Sequence, residues 1–263
     1  MGVFDGIWMF YRYLVFVFKK VTRIEPLHVY QRLEVTRKDG KSVKLRIQDA
    51  RAQDLEPIMD FMSKWFIHEE SLYRTAGIGN SEAALDELKQ MGQYFFLDPR
   101  NYPLLCVVDH EDPSTLEVVG CNLLYYKEKG GEELPEASTK ELRTLLTMST
   151  ILEREYDLFT SLEVPASLGG AGLSVHPDYR GLGLATEILR ARAPMLLHRK
   201  IPLSFAWFTS LPSQRAAEKA GYMQVAELTF QELGRRSDVA FTDVPDTLQL
   251  KVLRVADEND LKT

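Results

Sequence analysis

Cysteine is scarce in this chain, and its few histidines do not cluster. The sequence holds 2 cysteines and 5 histidines among 263 residues, without the spacing of a metal site, so we predict no structural or catalytic metal. Cys106 and Cys121 each lie in an apolar run typical of a strand, which predicts buried, reduced thiols and a cytoplasmic protein. The net charge of −6 argues against nucleic-acid binding and suits a cationic substrate.

Apolar runs long enough to cross a membrane are lacking as well. Residues 7–18 are apolar except for Arg12, but a span needs about 20 apolar residues, and the segment has no signal-peptide cleavage site. We interpret residues 1–28 as an apolar extension packed on a single domain at 29–263. The alternative is a peripheral membrane anchor or partner-docking segment within residues 1–20.

Turn signals divide the rest of the chain into short strands and amphipathic helices. Asp39-Gly40 between alternating runs predicts a hairpin. Helices are predicted at about 53–66, 81–96, 138–158 and 213–220, and strands at 29–36, 42–48, 104–108, 116–126, 171–175, 203–208, 223–230 and 247–255. This order of antiparallel strands, a strand–helix–strand crossover and a closing hairpin indicates an α+β fold with a mixed, mostly antiparallel sheet.

The stretch LSVHPDYRGLGLA, residues 173–185, predicts a strand that leads through a glycine-bearing turn into a helix. The first N–H groups of a helix lack intrahelical partners, and the helix dipole adds positive potential there, so such a turn can cradle an anion. Gly181 and Gly183 let the backbone approach a phosphate closely. We expect Pro194 to end or kink this helix. An ordinary strand-to-helix turn is the alternative for this stretch taken alone.

Arg180-x-x-Gly183-x-Ala185 resembles the pyrophosphate-binding signature of the GNAT superfamily of acyl-CoA-dependent N-acyltransferases. From about residue 43 onward the predicted element order also resembles the GNAT fold, in which a parallel strand pair flanked by helices splays apart. The resemblance implies that residues 171–175 and 203–208 splay, that acetyl-CoA enters between them, and that no metal is needed. The implied cofactor contacts are Leu173, Ser174, Val175, Arg180, Gly181, Leu182, Gly183, Leu184, Ala185 and Thr186.

Three stretches resemble the invertebrate arylalkylamine N-acetyltransferases of the dopamine and serotonin type. They are FIHEESL at 66–72, LEREYDLF at 152–159 and GLSVHPDYRG at 172–181, with Ser71 in place of that family's usual proline. The resemblance implies transfer of an acetyl group from acetyl-CoA to the primary amine of a small arylalkylamine by direct attack. A longer acyl donor, a polyamine, amino-acid or protein acceptor, and a non-catalytic acyl-CoA-binding regulator stay open, as do the monomer and the homodimer.

Amine acetylation needs a base, because an alkylamine is protonated at neutral pH. The resemblance points to Glu70, the second acid of its pair, and aromatic neighbours at Trp65 and Phe66 would raise its pKa by partial burial. The alternative is that Glu69 and Glu70 are solvated carboxylates at a helix end.

Two hydroxyl residues complete the predicted catalytic group. The resemblance places Thr209 and Ser213 near the amine, although Ser213 could equally cap its own helix. Ala217 stands where many GNAT enzymes carry a tyrosine that acts as general acid. Asn122, on a predicted strand, is a further candidate for reaching the cleft.

Overall fold

The structure is a computed structural model that describes residues 27–112, 115–130 and 136–255. Residues 1–20, on which the anchor and docking hypotheses depend, lie outside the described residues. Within the described ranges, no helix has the length and apolar character needed to cross a bilayer.

A single sheet of eight strands runs in the order β1-β2-β3-β4-β5-β6-β8-β7. Neighbouring strands are antiparallel except for the parallel pair β5–β6, so the predicted mixed, mostly antiparallel α+β sheet is confirmed. The strands are β1 (Val29–Thr36), β2 (Ser42–Asp49), β3 (Leu104–Val108), β4 (Val118–Glu128), β5 (Ala166–Val175), β6 (Leu203–Phe208), β7 (Met223–Thr229) and β8 (Thr247–Arg254).

Helices cover both faces of this sheet. Successive residues of β3 show the division, because Leu105 packs in the core under one helical layer and Leu104 in the core under the other. Helices α1 to α4 and α9 contribute to the first core, and α6 and α7 to the second. The helices are α1 (Leu55–Trp65), α2 (Ser71–Ala76), α3 (Glu82–Leu97), α4 (Lys140–Glu155), α5 (Leu158–Ser161), α6 (Leu184–Arg190), α7 (Arg192–Arg199), α8 (Leu211–Lys219) and α9 (Phe230–Ser237).

Strands β5 and β6 separate soon after they meet. Their parallel pairing consists of Leu168↔Ser204 and Gly169↔Phe205, although both strands continue beyond these residues. The register between β4 and β5 shifts at Ala171, which bulges because Leu123 pairs with Gly172 and Leu124 with Gly170. A bulge bends its strand, so β5 turns away from β6. The predicted splay is therefore confirmed, with β5 beginning at Ala166 and not at Ala171.

The glycines of β5 allow side chains from neighbouring elements to cross the strand. A Cβ atom on Gly172 would lie 2.9 Å from Met62 Cε and 3.1 Å from Phe66 Cζ, and one on Gly169 would overlap the Tyr125 ring. Real Cβ atoms do not approach neighbours this closely. The glycine run thus brings aromatic side chains directly against the backbone at the narrow end of the splay.

Helix α6 stops at Arg190, which agrees with the expectation that Pro194 ends or kinks the helix after the glycine turn. Pro194 has no N–H to donate to the Arg190 carbonyl, and the chain continues as α7 after a break at Ala191. Helix α9 is not predicted, because the predicted strand 223–230 reaches only its first residue, Phe230. The Thr229 hydroxyl caps this helix by accepting a hydrogen bond from the Glu232 amide at 3.0 Å.

Gly169→Ala should lower the free energy of unfolding by about 1–3 kcal/mol, because its methyl group overpacks against the Tyr125 ring. In a Tyr125→Ala background the same change should cost little, since the ring that it strikes is gone. Urea unfolding of wild type, both single variants and the double variant measures this coupling. Additive losses would show that the close approach at Gly169 does not exist.

Candidate active site

Glu70 lies at the start of α2, just after the turn that follows α1. Its Oε2 atom accepts hydrogen bonds from the Leu72 amide at 2.8 Å and the Tyr73 amide at 3.0 Å, so the carboxylate caps the helix. The functional candidate therefore also has a structural role. Capping fixes the position of the carboxyl group to within a rigid turn.

The other carboxyl oxygen of Glu70 faces the end of β6. The Thr209 hydroxyl donates a hydrogen bond of 2.6 Å to Glu70 Oε1, and the Ser71 hydroxyl contacts the Thr209 carbonyl oxygen at 3.4 Å. Thr209 directly follows β6, so these contacts tie the α1–α2 turn to the open end of the splay. The structure thus brings together Glu70 and Thr209, which are separated by 139 positions in sequence.

The environment of Glu70 favours its neutral form. Burial raises the pKa of the Glu70 carboxyl above its usual value, while hydrogen bonds from the Thr209 hydroxyl and the first amides of α2 offset part of that rise. Burial also raises the pKa of Tyr73, and the charge on Glu70 adds to that rise. No cationic side chain of the described ranges forms an ion pair with Glu70.

Glu69 differs sharply from its neighbour. Its side chain is 51% exposed, and its Oε2 atom forms an ion pair with Arg180 Nη2 at 2.9 Å. The second acid of the pair is thus the less exposed one. The sequence alone could not distinguish the two carboxylates.

Ser213 makes its hydrogen bonds with Ser210 and not with Glu70. Its amide donates to the Ser210 hydroxyl at 3.3 Å, and its own hydroxyl donates to the Ser210 carbonyl at 2.9 Å. Ser210 is the residue that caps α8, and Ser213 completes a reciprocal capping box. The geometry therefore favours the capping alternative for Ser213, and its catalytic role stays a prediction.

The turn between β5 and α6 has the form expected for an anion cradle. Gly181 and Gly183 both adopt φ of +82°, the left-handed conformation that favours glycine. No side chain caps the start of α6 at Leu184, so its first amides face the turn. The Thr186 amide, a predicted contact, instead donates to the Gly183 carbonyl at 3.0 Å. Leu182 and Ala185 lie in the same turn and first helical residues, and their contact with a cofactor stays a prediction.

The backbone of β5 presents alternate residues to the cleft. The His176 amide donates a hydrogen bond to the Val119 carbonyl of β4 at 2.9 Å, so His176 and Val119 form a hydrogen-bonded pair of the antiparallel ladder. By the antiparallel alternation, Ser174 also faces β4, whereas Leu173 and Val175 point their backbone groups away from it. Arg180 Nε confirms this by donating to the Val175 carbonyl at 2.9 Å.

Ser174 is therefore placed differently from the other predicted contacts on β5. Its backbone groups pair with β4, and its hydroxyl donates to the Trp65 carbonyl at 2.9 Å. The side chain fixes the end of α1 against the strand. A direct cofactor contact from Ser174 has no support in this geometry.

The sequence matches no protein-family model and no curated protein. Among solved structures, the chain is similar to the Aedes aegypti protein designated arylalkylamine N-acetyltransferase 7. The two sequences are 24% identical, the match covers 89% of this chain and 98% of that chain, and the TM-score is 0.80. It is also similar to arylalkylamine N-acetyltransferase 2 from Aedes aegypti. Here the identity is 15%, the match covers 81% of this chain and 99% of that chain, and the TM-score is 0.67. Drosophila melanogaster polyamine N-acetyltransferase, which forms N-acetylagmatine, has 19% identity, 80% and 100% coverage and a TM-score of 0.63.

The chain has the GNAT acetyltransferase fold. The expected fold is thereby confirmed, and in this fold the parted strands form the cleft that Glu70 and Thr209 border. A cavity of about 350 Å³ opens next to them. It is lined by Glu69, Ser71, Arg74, Ser210, Leu211, Pro212, Asp243, Val244 and Pro245. Its lining carries two carboxylates, Glu69 and Asp243, and one guanidinium, Arg74, and Glu69 is ion-paired with Arg180.

Sequence reasoning missed one charged residue of the GNAT cleft. Arg192, at the start of α7, is 1% exposed and donates from Nε to Asn122 Oδ1 at 2.8 Å. Asn122 was a candidate for reaching the cleft, but nothing local in the sequence marks Arg192 as buried. Within the described ranges, no group of three or more side chains could hold a metal ion.

Replacing Glu70 by Gln should change how stability depends on pH. Because the folded-state pKa of Glu70 is raised, the native state disfavours the carboxylate, and wild-type stability falls as pH rises through that pKa. Glu70→Gln removes this loss, so its stability relative to wild type should increase between about pH 5 and about pH 8. Urea unfolding at both pH values measures the difference.

Glu69→Gln is the matched control, since it removes an exposed carboxylate from the adjacent position. Its stability relative to wild type should stay nearly constant between the two pH values. A relative stability of Glu70→Gln that is constant or falls with pH would contradict the raised pKa.

Proposed function

We propose that the protein is an N-acetyltransferase that moves the acetyl group of acetyl-CoA to the primary amine of a small arylalkylamine. The observation that carries this proposal is Glu70, a carboxylate with a raised pKa and no ion-pair partner in the described ranges, held by Thr209 at the open end of the β5–β6 splay. The GNAT fold and its similarity to the mosquito enzymes support the reaction class.

The residues of the cleft fit acetyl-CoA, which supplies an activated acyl group as a thioester. The amides of residues 181–185 and the guanidinium of Arg180 offer donors to a pyrophosphate. The Leu173 amide and carbonyl and the Val175 amide point away from β4 and can pair with the amides of a pantetheine arm as a further strand would, whereas the Val175 carbonyl already accepts from Arg180 Nε. Because β6 has already diverged, nothing in the sheet competes for these groups.

Glu70 acts as the general base. It accepts a proton from the substrate ammonium, directly or through a water molecule, and its raised pKa brings it towards the range where such a transfer is efficient. The neutral amine then attacks the thioester carbon, and the Leu173 amide donates to the oxygen that becomes negative. The carbon–sulfur bond breaks as the amide forms, and one of the two protons lost from nitrogen passes to the thiolate.

The leaving thiolate lacks the tyrosine that many GNAT enzymes place near it. Ala217 occupies that position, and its methyl side chain has no proton to donate. Protonated Glu70 or solvent returns the proton instead.

Aromatic rings near Glu70 support an aromatic acceptor. Phe66, four residues before Glu70, and Tyr73, three residues after it, meet edge to face with ring centroids 5.1 Å apart. A second candidate, a polyamine-type acceptor, is favoured by a different observation: the Asp243 carboxylate lines the cavity and could bind a second positive charge, whereas Glu69 already pairs with Arg180. The similarity to the Drosophila polyamine enzyme agrees with this candidate.

Thiol release from acetyl-CoA should be observed with tyramine, dopamine, serotonin or tryptamine. Glu70→Gln should lower kcat/KM by about 10²- to 10⁴-fold, because the base is lost, while acetyl-CoA binding measured by calorimetry stays near the wild-type value. Spermidine, agmatine, glycine and a peptide N-terminus complete the panel and test the other acceptor classes.

Glu69→Gln serves as the control and should keep kcat/KM with arylalkylamines within about tenfold of wild type. Turnover confined to spermidine or agmatine would replace the arylalkylamine proposal by the polyamine one. Acetyl-CoA binding without turnover on any amine would contradict both and favour a regulator or a longer acyl donor.

A further inference from the structure

Arg192 carries a buried charge that no carboxylate balances. Its side chain is 1% exposed, and its hydrogen bonds run to neutral groups: Nε donates to Asn122 Oδ1 at 2.8 Å and Nη1 to Ser204 Oγ at 2.9 Å. Burial lowers the pKa of the guanidinium, and the group that offsets part of this effect is the buried Tyr222 phenol, whose ring centroid lies 5.8 Å from Arg192 Cζ, and not a carboxylate. Arginine nevertheless stays protonated in proteins, so the charge is present and costly.

This charge lies at the point where the cleft closes. Ser204 belongs to the first residue pair between β5 and β6, and its hydroxyl donates onward to the Leu168 carbonyl at 3.0 Å. A Cβ atom on Gly170 would lie 2.9 Å from Arg192 Nη2, so the guanidinium touches the backbone of β5 just before the bulge. Through these contacts Arg192 joins β4, β5 and β6 where β5 and β6 separate.

Asn122 carries the influence of Arg192 to the next peptide groups of β5. While Oδ1 accepts from Arg192, the Asn122 Nδ2 atom donates to the Gly172 carbonyl oxygen at 2.6 Å. That carbonyl belongs to the same planar, trans peptide group as the Leu173 amide, so the two point in opposite directions. The carbonyl faces β4, and the Leu173 N–H faces the cleft.

We propose that Arg192 and Asn122 are positioning residues that polarise the Gly172–Leu173 peptide, so that the Leu173 N–H stabilises the negative charge formed on the thioester oxygen. The inference rests on the proposed acetyl transfer. A hydrogen bond to a carbonyl strengthens the N–H of the same peptide as a donor, and chained hydrogen bonds reinforce one another. The charge of Arg192 is not neutralised in the folded protein because the reaction itself supplies the opposite charge.

Arg46 shows the ordinary arrangement of a buried arginine in this chain. It is 6% exposed, but its Nη1 atom forms an ion pair with Asp109 at 2.6 Å. It lies on β2, away from the parted strands. Arg46→Met therefore removes a buried guanidinium without touching the cleft, and it is the matched control.

Infrared spectroscopy of bound acetyl-CoA labelled with ¹³C at the acetyl carbonyl tests the proposal without an acceptor amine. Hydrogen bonding to the Leu173 amide should displace the carbonyl stretch of bound acetyl-CoA to lower frequency than in solution. Arg192→Met and Asn122→Ala should each reduce this displacement, and the double variant should reduce it no further. Arg192→Lys, which keeps the charge, should retain part of the displacement. Arg46→Met should retain all of it.

The kcat values of these variants should follow the same order as their carbonyl displacements. Arg192→Met and Asn122→Ala should lower kcat by about 10- to 100-fold with little change in the Kd of acetyl-CoA, whereas a purely structural role would lower only the Tm. If Arg192→Met and Asn122→Ala show the same carbonyl displacement and kcat as Arg46→Met, the inference is overturned and the proposed function is left intact. Wild type that fails to bind acetyl-CoA would overturn both.

Asn122→Asp keeps the proposal testable if removal of Arg192 prevents folding. The new carboxylate sits beside Arg192 Nε, so it gives the buried cation a counter-ion, yet it cannot donate to the Gly172 carbonyl. We expect a folded protein in which the carbonyl displacement is lost. A full wild-type displacement in Asn122→Asp would overturn the inference.

Discussion

The separation of β5 from β6 is the constraint on which the candidate site depends. If the pairing continued, β6 would occupy the Leu173 backbone groups and the Val175 amide, which point away from β4. The separation has local causes: the bulge at Ala171 bends β5, and the buried Arg192 fills the angle between the strands. The cleft is therefore built into the sheet and does not need a ligand to open it.

Glu70 combines two demands that oppose each other. As the cap of α2 it is most useful as a carboxylate, whereas burial disfavours that charged form. The Thr209 hydrogen bond resolves the conflict part of the way, because it stabilises the charge without supplying a cation. The carboxylate keeps a fixed position and a raised pKa, and it remains unpaired where an ammonium ion would arrive. Arg192 is the corresponding buried cation without a carboxylate partner in the described ranges.

The glycine turn, the order of the strands and the parted pair are predictable from the sequence because their signals are local. Gly181 and Gly183 mark the turn, and β6 has the predicted bounds Leu203–Phe208. The burial of Arg192 is not predictable in this way, because its partner Asn122 lies 70 positions away and on another element. Likewise, the sequence alone does not show which of Glu69 and Glu70 is the less exposed.

A local signal misleads where two interpretations share one pattern. Ser210 and Ser213 are both plausible caps of α8, and only the backbone path shows that Ser210 caps the helix while Ser213 completes the capping box. The choice between them depends on where the helix begins.

The central claim is that acetyl-CoA and an amine meet between the parted strands and Glu70. A conjugate in which an acetyl bridge joins the sulfur of CoA to the nitrogen of tryptamine would occupy both halves of the site at once. Calorimetry should give it a Kd at least about 100-fold lower than that of CoA, because a mimic of the transition state gathers both sets of contacts. Equal affinities for the conjugate and for CoA would contradict the account.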